Sequence, residues 1–217
     1  MAGDRSVDPR GVDRYTREVE GVSPTDERTR RILDAAVHLA EAGGFAAVRL
    51  RDVAQTSGVA LGTVYKRFRS KEALLVGVLS AEVHDLRARL ATTPISGATP
   101  LARVIGYFEF LSDYLCDRPN FARAVIRSAA SGEPAMGERL AEFHRVLFEL
   151  GFQTMCGRAP RGPHEAEARM LTALQQVWFA SLCGWAGAAF PKSGVVEFVA
   201  AAAKLMTYGV DRLPADE

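Results

Sequence analysis

Residues 51–68 read RDVAQTSGVALGTVYKRF, and this stretch decides the fold. Ala54 is small, so a second helix can cross close above the first one at this point. Gly58 stands where the first helix must end, because glycine readily adopts the left-handed conformation of a helix C-cap. Val64 and Phe68 are four residues apart and therefore share the buried face of a second short helix. The stretch predicts a helix-turn-helix.

The opposite face of the second helix suits the groove of a DNA duplex. This face combines a glycine that permits close approach with hydroxyl groups and positive charge. Its residues are Leu61, Gly62, Thr63, Tyr65, Lys66 and Arg67. Residues 45–71 contain the single acid Asp52 and six bases, a net charge of +5 in a protein whose total is +1; the bases are Arg49, Arg51, Lys66, Arg67, Arg69 and Lys71. An ordinary corner of two helices with a solvated face would show the same helical pattern. The concentrated charge favours DNA binding over that reading, because phosphates line the groove.

Size and composition indicate a globular protein. The chain has 217 residues, of which 48% are apolar and 24% charged, and this length suits a small domain fused to a larger one. The near-neutral total charge argues against a nonspecific coat on nucleic acid. No apolar run reaches the roughly 20 residues that span a bilayer, and the N-terminus lacks the apolar core of a signal peptide. We therefore expect a cytoplasmic protein with no membrane partner.

The chemistry-bearing residues do not form a catalytic or metal site. The cysteines are odd in number and lie in apolar helical patterns, so we expect reduced core thiols at Cys116, Cys156 and Cys183. They lack metal-ligand spacing, and the histidines do not cluster with them in sequence. Acid–base groups are present without a recognisable nucleophile beside them: Glu109, Glu142, Glu149, His144 and His164. We expect no enzyme, no metal and no cofactor.

The whole chain reads as helices. Residues 1–22 are polar and lack periodicity, which predicts a mobile tail. The first helix is expected to begin at Ser23-Pro24 and to end at Gly43-Gly44, and Ser70 is expected to cap a long helix that runs to about Ala91. Five more helices are predicted, the second of them capped by Asn120, over residues 101–116, 120–130, 135–156, 164–189 and 193–210. No strand pattern appears, so the fold class is all-α.

The last two helices predict an interface. Residues 177–190 are apolar nearly all round, and residues 195–206 are mostly apolar with a run of four alanines. Such a pair must be covered, and small residues allow helices to approach closely. A twofold four-helix dimer would cover them. The alternative is that one chain buries both helices by itself.

The middle helices predict an apolar ligand cavity. Any one aromatic at helical spacing is first a core residue, but together they exceed what a small bundle needs. The predicted lining residues are Tyr107, Phe108, Leu111, Tyr114, Phe121, Val125, Phe148, Phe152 and Trp178. Arg103, Arg123 and Arg127 lie on adjoining helices, where they would either meet an anionic head group or remain surface charges.

The layout resembles the TetR family of bacterial transcriptional regulators. The resemblance is carried by RRILDAA, GGF, RDVA, GV, GTVYKRF and SKEALL, at residues 30–36, 43–45, 51–54, 58–59, 62–68 and 70–75. It implies a three-helix DNA-binding head, a larger helical domain for ligand binding and dimerisation, and release of operator DNA when ligand binds. It also implies that the side facing DNA carries Gly62, Thr63, Tyr65 and Lys66, and that Lys71 meets a phosphate.

Two positions depart from the family pattern. Val48 stands where a capping Thr is usual before the second helix, and Ala60-Leu61 replaces a Ser and a polar residue at the start of the recognition helix. Both caps are therefore expected to be weak, and Leu61 would touch a thymine methyl group. These departures, with residues 120–130 and 177–185, are similar to actinobacterial repressors of cholesterol catabolism. That similarity implies only a ligand class, a bulky lipid that is free or joined to CoA.

These features predict a tail at 1–22, a DNA-binding domain at 23–72 and a ligand-binding and dimerisation domain at 73–217. The expected function is a regulator, by family default a repressor, that a hydrophobic small molecule releases from double-stranded operator DNA. The expected DNA contacts are Arg49, Arg51, Leu61, Gly62, Thr63, Tyr65, Lys66 and Lys71. The alternative is a helical lipid-binding or carrier protein whose head does not read DNA, which only Leu61 and the weak caps support.

Overall fold

The computed structural model describes residues 24–157 and 165–210, and every regular element in these two ranges is helical. The helices are α1 Pro24–Ala47, α2 Leu50–Ser57, α3 Leu61–Arg67, α4 Lys71–Thr92, α5 Pro100–Cys116, α6 Pro119–Ala129, α7 Gly137–Cys156, α8 Glu165–Ala186 and α9 Lys192–Val210. A short 3-10 turn, Pro134–Met136, precedes α7. The all-α prediction is confirmed. The predicted tail, the Ser23 cap and the start of the 164–189 helix lie outside the described residues.

Helices α1, α2 and α3 form the head. Two glycines interrupt α1, and Gly44 has φ 65° and ψ −158°, a backbone conformation that side chains with a Cβ rarely adopt. Gly58 caps α2 in the left-handed conformation, with φ 65° and ψ 22°. Val64 and Phe68 are buried beneath α3. The predicted helix-turn-helix is therefore present.

The predicted N-cap residue is found at α4 but not at α6. Ser70 Oγ accepts a hydrogen bond from the Ala73 N–H at 3.1 Å, so the predicted cap of α4 is confirmed. No side chain caps α2 or α3. Asn120 does not cap α6, and that prediction is wrong: the helix begins at Pro119, whose fixed φ suits the first helical position. Asn120 instead donates from Nδ2 to the Glu41 carbonyl of α1 at 3.1 Å.

Helix α4 connects the head to the body, which we define as α5 to α9. Leu74 and Leu75 are fully buried near its start, and α4 packs on α1, α6 and α7. Helix α6 also lies across α1, so the head contacts the body through both α4 and α6. Helices α8 and α9 pack on each other. None of the described helices has the length and hydropathy needed to cross a membrane.

A polar cluster around Glu82 lies where the head meets α4 and the body. The Arg118 guanidinium donates to both Glu82 oxygens at 3.1 and 2.6 Å, and the Tyr114 hydroxyl donates to the same carboxylate. Arg118 also lies 3.7 Å from Glu41 of α1. The cluster thus joins the head to α4, α5 and the start of α6.

This cluster makes stability depend on pH. Burial raises the pKa of Glu82, but hydrogen bonds from Arg118 and Tyr114 and the nearby positive charges outweigh it and hold that pKa below its ordinary value of 4.5. The stabilisation is therefore complete above pH 4.5 and is lost as the pH falls through the folded-state pKa. We expect Glu82→Gln to lower the free energy of unfolding by about 2 kcal/mol at neutral pH. Urea unfolding across the pH range should show the wild type and the variant converging in acid.

Glu109 provides the matched control for this experiment, because it is an exposed glutamate on α5. Glu109→Gln should change the free energy of unfolding by only a few tenths of a kcal/mol. A Glu82→Gln defect that is the same at neutral and acid pH would show that the carboxylate charge is not what stabilises the cluster.

Candidate functional site

Helix α3 presents an exposed face beside its buried one. Tyr65 is 51% exposed and Leu61 37% exposed, although both are large side chains with much apolar surface. Gly62 borders open space, since a Cβ built there would have no neighbour within 4 Å. Lys66 is exposed and Thr63 is half-buried. A partner can therefore approach the backbone of α3 closely between two large side chains.

The positive charges around this face have no acidic partner in the part of the chain that the structure describes. Among the described residues, no ion pair within 4.0 Å involves any of the six bases Arg49, Arg51, Lys66, Arg67, Arg69 and Lys71. Arg49 and Arg51 are exposed near the start of α2. The face therefore keeps a positive potential that an anionic partner would neutralise.

Lys71 has a partner that sequence reasoning missed. Its ammonium nitrogen lies 3.7 Å from the centroid of the Phe45 ring, a cation–π contact. The Phe45 ring also contacts Arg127 of α6, whose guanidinium carbon lies 4.3 Å from the ring centroid. The only sequence signal was an aromatic directly after two glycines. Phe45 thus holds Lys71 in place at the N-terminus of α4.

Two small apolar cavities lie where the body packs against α4, and we call them the inner cavities. The larger is about 60 Å³ and lies between α6, α7 and α8, and the smaller is about 30 Å³ and lies beside α4 and α5. They share four lining residues, which separate one from the other: Leu79, Leu115, Phe143 and Trp178.

The predicted pocket residues fall into two groups. Five line the inner cavities: Leu111, Tyr114, Phe121, Val125 and Trp178. Four line neither inner cavity and pack in the surrounding core: Tyr107, Phe108, Phe148 and Phe152. The Tyr107 hydroxyl donates to the Leu147 carbonyl at 2.8 Å, and its ring packs edge-on against Phe108 at 5.3 Å. Sequence reasoning did not include Leu79 among the lining residues.

The polar groups near the larger cavity are neutral. Trp178 donates from its indole N–H to Ser112 Oγ at 3.0 Å, which fixes the ring. Burial lowers the pKa of His144, so its imidazole is uncharged at neutral pH. With neutral and apolar walls, the cavity suits an uncharged, apolar group.

The structure separates the three arginines that the sequence grouped together. Arg103 is committed to the fold, because it donates to the carbonyls of Thr154, Met155 and Gly97 at 2.6 to 3.1 Å and so caps the end of α7. Arg123 and Arg127 are exposed on α6.

The described residues do not suggest a metal site. Within 24–157 and 165–210, no three His, Cys, Asp or Glu side chains converge as metal ligands would. Cys116 is a buried thiol, and Cys183 is a half-buried one.

The sequence is similar to those of known bacterial regulatory proteins. Residues 32–78 match the family model described as bacterial regulatory proteins, tetR family. The chain is 30% identical over 159 residues to the HTH-type transcriptional repressor KstR of Rhodococcus jostii (strain RHA1), and the match covers 73% of each protein. This level of identity and coverage extends from the head into the body.

Solved structures show the same fold over most of the chain. A TetR transcriptional regulator from Rhodococcus sp. RHA1 superposes with a TM-score of 0.76 at 23% identity, over 85% of this chain and 97% of that one. Thermus thermophilus FadR, a TetR-family transcriptional repressor in complex with lauroyl-CoA, superposes with a TM-score of 0.66 at 20% identity, over 87% and 97%. With the helix-turn-helix and the sequence match, these likenesses lead to one conclusion. The chain belongs to the TetR family of bacterial regulatory proteins.

Proposed function

We propose that the protein is a transcriptional repressor that binds double-stranded operator DNA as a homodimer and is released by a hydrophobic effector. The observation that carries this proposal is the exposed face of α3, whose surrounding cations have no acidic partner among the described residues. We propose residues 23–72 as the DNA-binding domain and residues 73–217 as the effector-binding and dimerisation domain. A lipid carrier would have no use for such a cationic face.

On DNA, α3 would lie in the major groove. Tyr65 and Lys66 would reach base edges and phosphates, Gly62 and Thr63 would allow close approach, and Leu61 would touch a thymine methyl group. Arg49, Arg51 and Lys71 would meet the backbone. Lys71 stands at the first position of α4, where a phosphate would also accept hydrogen bonds from free backbone amides.

The dimer interface would be formed by α8 and α9. Among the described side chains, four large apolar ones are exposed: Leu61 and Tyr65 on the DNA face, and Phe198 and Leu205 on α9. Phe198 is 51% exposed and Leu205 73% exposed, and a spacing of seven residues places both on one side of the helix. Leaving them in water is unfavourable, and a second copy would cover them.

The effector would occupy an enlarged form of the inner cavities. Their volumes of about 60 and 30 Å³ are far below the several hundred Å³ of a typical ligand site. Binding would therefore displace the separating side chains, among them Leu79 of α4. Because α4 begins at Lys71, its displacement would move the head and change the spacing of the two α3 helices. The FadR complex with lauroyl-CoA supports acyl-CoA as the effector class.

A cavity-filling variant tests this proposal. Ala129 lines the larger cavity, so Ala129→Leu places extra carbon atoms where the effector would lie. The DNA segment upstream of the coding sequence is bound first and is then titrated with lauroyl-CoA in a gel-shift assay. We expect wild-type protein to release the DNA, and the variant to bind DNA normally but to need about tenfold more lauroyl-CoA, a loss of about 1.4 kcal/mol.

Ala141→Leu is the matched control, because Ala141 is exposed on α7 and does not line the cavities. It should respond to lauroyl-CoA as the wild type does. Equal responses of Ala129→Leu and wild type would remove the inner cavities as the effector site. A wild-type complex that lauroyl-CoA leaves intact would remove acyl-CoA as the effector.

A further inference from the structure

A cationic groove lies where the head meets the body. It has a volume of about 360 Å³ and runs between α6, α8 and the segment after Gly44. Phe45 is its one lining residue from the head, and Arg123 and Arg127 of α6 line it as charged groups. Its remaining walls are small or apolar, with Ile126 and Cys183 among them. We call it the junction groove.

The two arginines of the junction groove have no counter-charge in residues 24–157 and 165–210. They stand one helical turn apart on α6, and neither has an ion pair within 4.0 Å among the described residues. Two like charges at this spacing repel each other. Each guanidinium lies over a ring, Arg123 at 5.2 Å from the Trp185 centroid and Arg127 at 4.3 Å from that of Phe45. The rings orient the two groups but leave their positive charge in place.

The junction groove adjoins the larger inner cavity. Ile126 lines both spaces, and on α8 the neighbours Leu182 and Cys183 line the cavity and the groove respectively. Ile126 is only 4% exposed and lies between the two spaces. Rotation of this side chain would give one amphipathic molecule access to an apolar interior and to a cationic exterior.

The charge and size of the groove indicate what kind of head group it takes. A fatty-acid carboxylate carries one charge and would need one arginine. Two arginines one helical turn apart, with Cβ atoms about 6 Å from each other, match a group with several anionic oxygens, and guanidinium binds phosphate through paired hydrogen bonds. A space of about 360 Å³ also exceeds the needs of a carboxylate.

We propose that the junction groove binds the phosphate-bearing head of an acyl-CoA, with Arg123 and Arg127 on the phosphates and the acyl chain passing Ile126 into the inner cavities. This inference rests on the proposed function, in which an apolar effector fills those cavities. It also links effector binding directly to the DNA-binding head of the protein. Arg127 and Lys71 both contact the Phe45 ring, so a phosphate that draws Arg127 away changes the contacts that hold Lys71.

Binding of two probes to two double variants tests this proposal. Isothermal titration calorimetry measures the affinity of the full chain for lauroyl-CoA and for laurate, which has the same acyl chain without the phosphates. The groove variant is Arg123→Gln with Arg127→Gln. The control variant is Arg87→Gln with Arg145→Gln, which removes the same charge from residues that pair with Glu149 on the surface and do not line the groove.

We expect wild-type protein to bind lauroyl-CoA at least about tenfold more tightly than laurate, because each phosphate contact is a charge-assisted hydrogen bond. The groove variant should lose this preference and bind laurate as the wild type does, which also shows that its body is folded. The control variant should keep the preference. If the groove variant binds lauroyl-CoA as tightly as the wild type does, the junction groove is not the head-group site, but the inner cavities can still be the effector site. If the wild type binds neither probe, both the head-group site and the proposed effector site are wrong.

Discussion

Replacing Tyr65 and Lys66 together by alanine is expected to weaken binding of the upstream DNA fragment by about 100-fold or more. Both side chains are exposed on α3, so their removal takes away DNA contacts without opening the core. A base-edge contact contributes roughly 1–3 kcal/mol, and a phosphate contact adds an electrostatic part. Fluorescence anisotropy of the labelled fragment measures the loss.

Two measurements accompany this variant. Thermal unfolding should match that of the wild type, because neither side chain supports the fold. Lys204→Ala removes an exposed lysine from α9 and should leave the DNA affinity unchanged. If the Tyr65 and Lys66 variant binds the fragment as tightly as the wild type does, α3 is not the recognition helix.

The double variant Phe198→Glu with Leu205→Glu is expected to convert a dimer into monomers. Burying a large apolar side chain in the interface contributes roughly 1.5–3 kcal/mol to the free energy of dimerisation. Because the dimer is twofold symmetric, each residue is buried once in each protomer and contributes twice. A carboxylate in the same place would have to be desolvated without a partner. Light scattering should show the mass fall from twice the chain mass of 23.5 kDa to that mass.

The neighbouring Lys204→Glu is the control, because it places a carboxylate on the adjacent side of α9. It should remain dimeric. The monomeric variant should also bind the DNA fragment far more weakly, since each head would then hold its half-site alone. A double variant that stays dimeric would place the interface elsewhere on the molecule.

Helix α4 gives the proposed mechanism its physical basis. One helix carries the cap Ser70 and the cation Lys71 at its start, Leu79 between the two inner cavities, and Glu82 in the cluster that reaches α1. Packed interiors respond to added volume by moving whole elements, because they hold few voids. An effector that displaces Leu79 therefore acts on the helix that positions the head.

Local features of this fold were predictable from the sequence. The left-handed Gly58 and the Ser70 cap depend on a few adjacent residues, and so does the absence of a side-chain cap before α3. Where two local signals competed, the sequence did not decide correctly: Asn120 was expected to cap α6, but Pro119 sets its first turn.

Features that depend on contacts between distant residues were not predictable. Tyr107 and Tyr114 lie seven residues apart on α5, yet one is fixed in the core by the Leu147 carbonyl and the other lines a cavity. Arg103 and Arg123 both read as helical arginines, but only the fold brings the end of α7 to Arg103. The contact between Lys71 and Phe45 likewise requires the turn at Gly44 to bring the ring under the ammonium group.

Binding of the upstream DNA fragment over a range of salt concentrations, with the stoichiometry determined at low salt, tests most directly whether a symmetric pair of α3 helices lies on the operator. If Arg49, Arg51 and Lys71 of each protomer meet phosphates, the logarithm of the affinity should fall with the logarithm of the salt concentration with a slope of about −5. Two protomers, or a multiple of two, should bind each site. A protein that stays monomeric and shows no affinity for the fragment at low salt would contradict the proposed function.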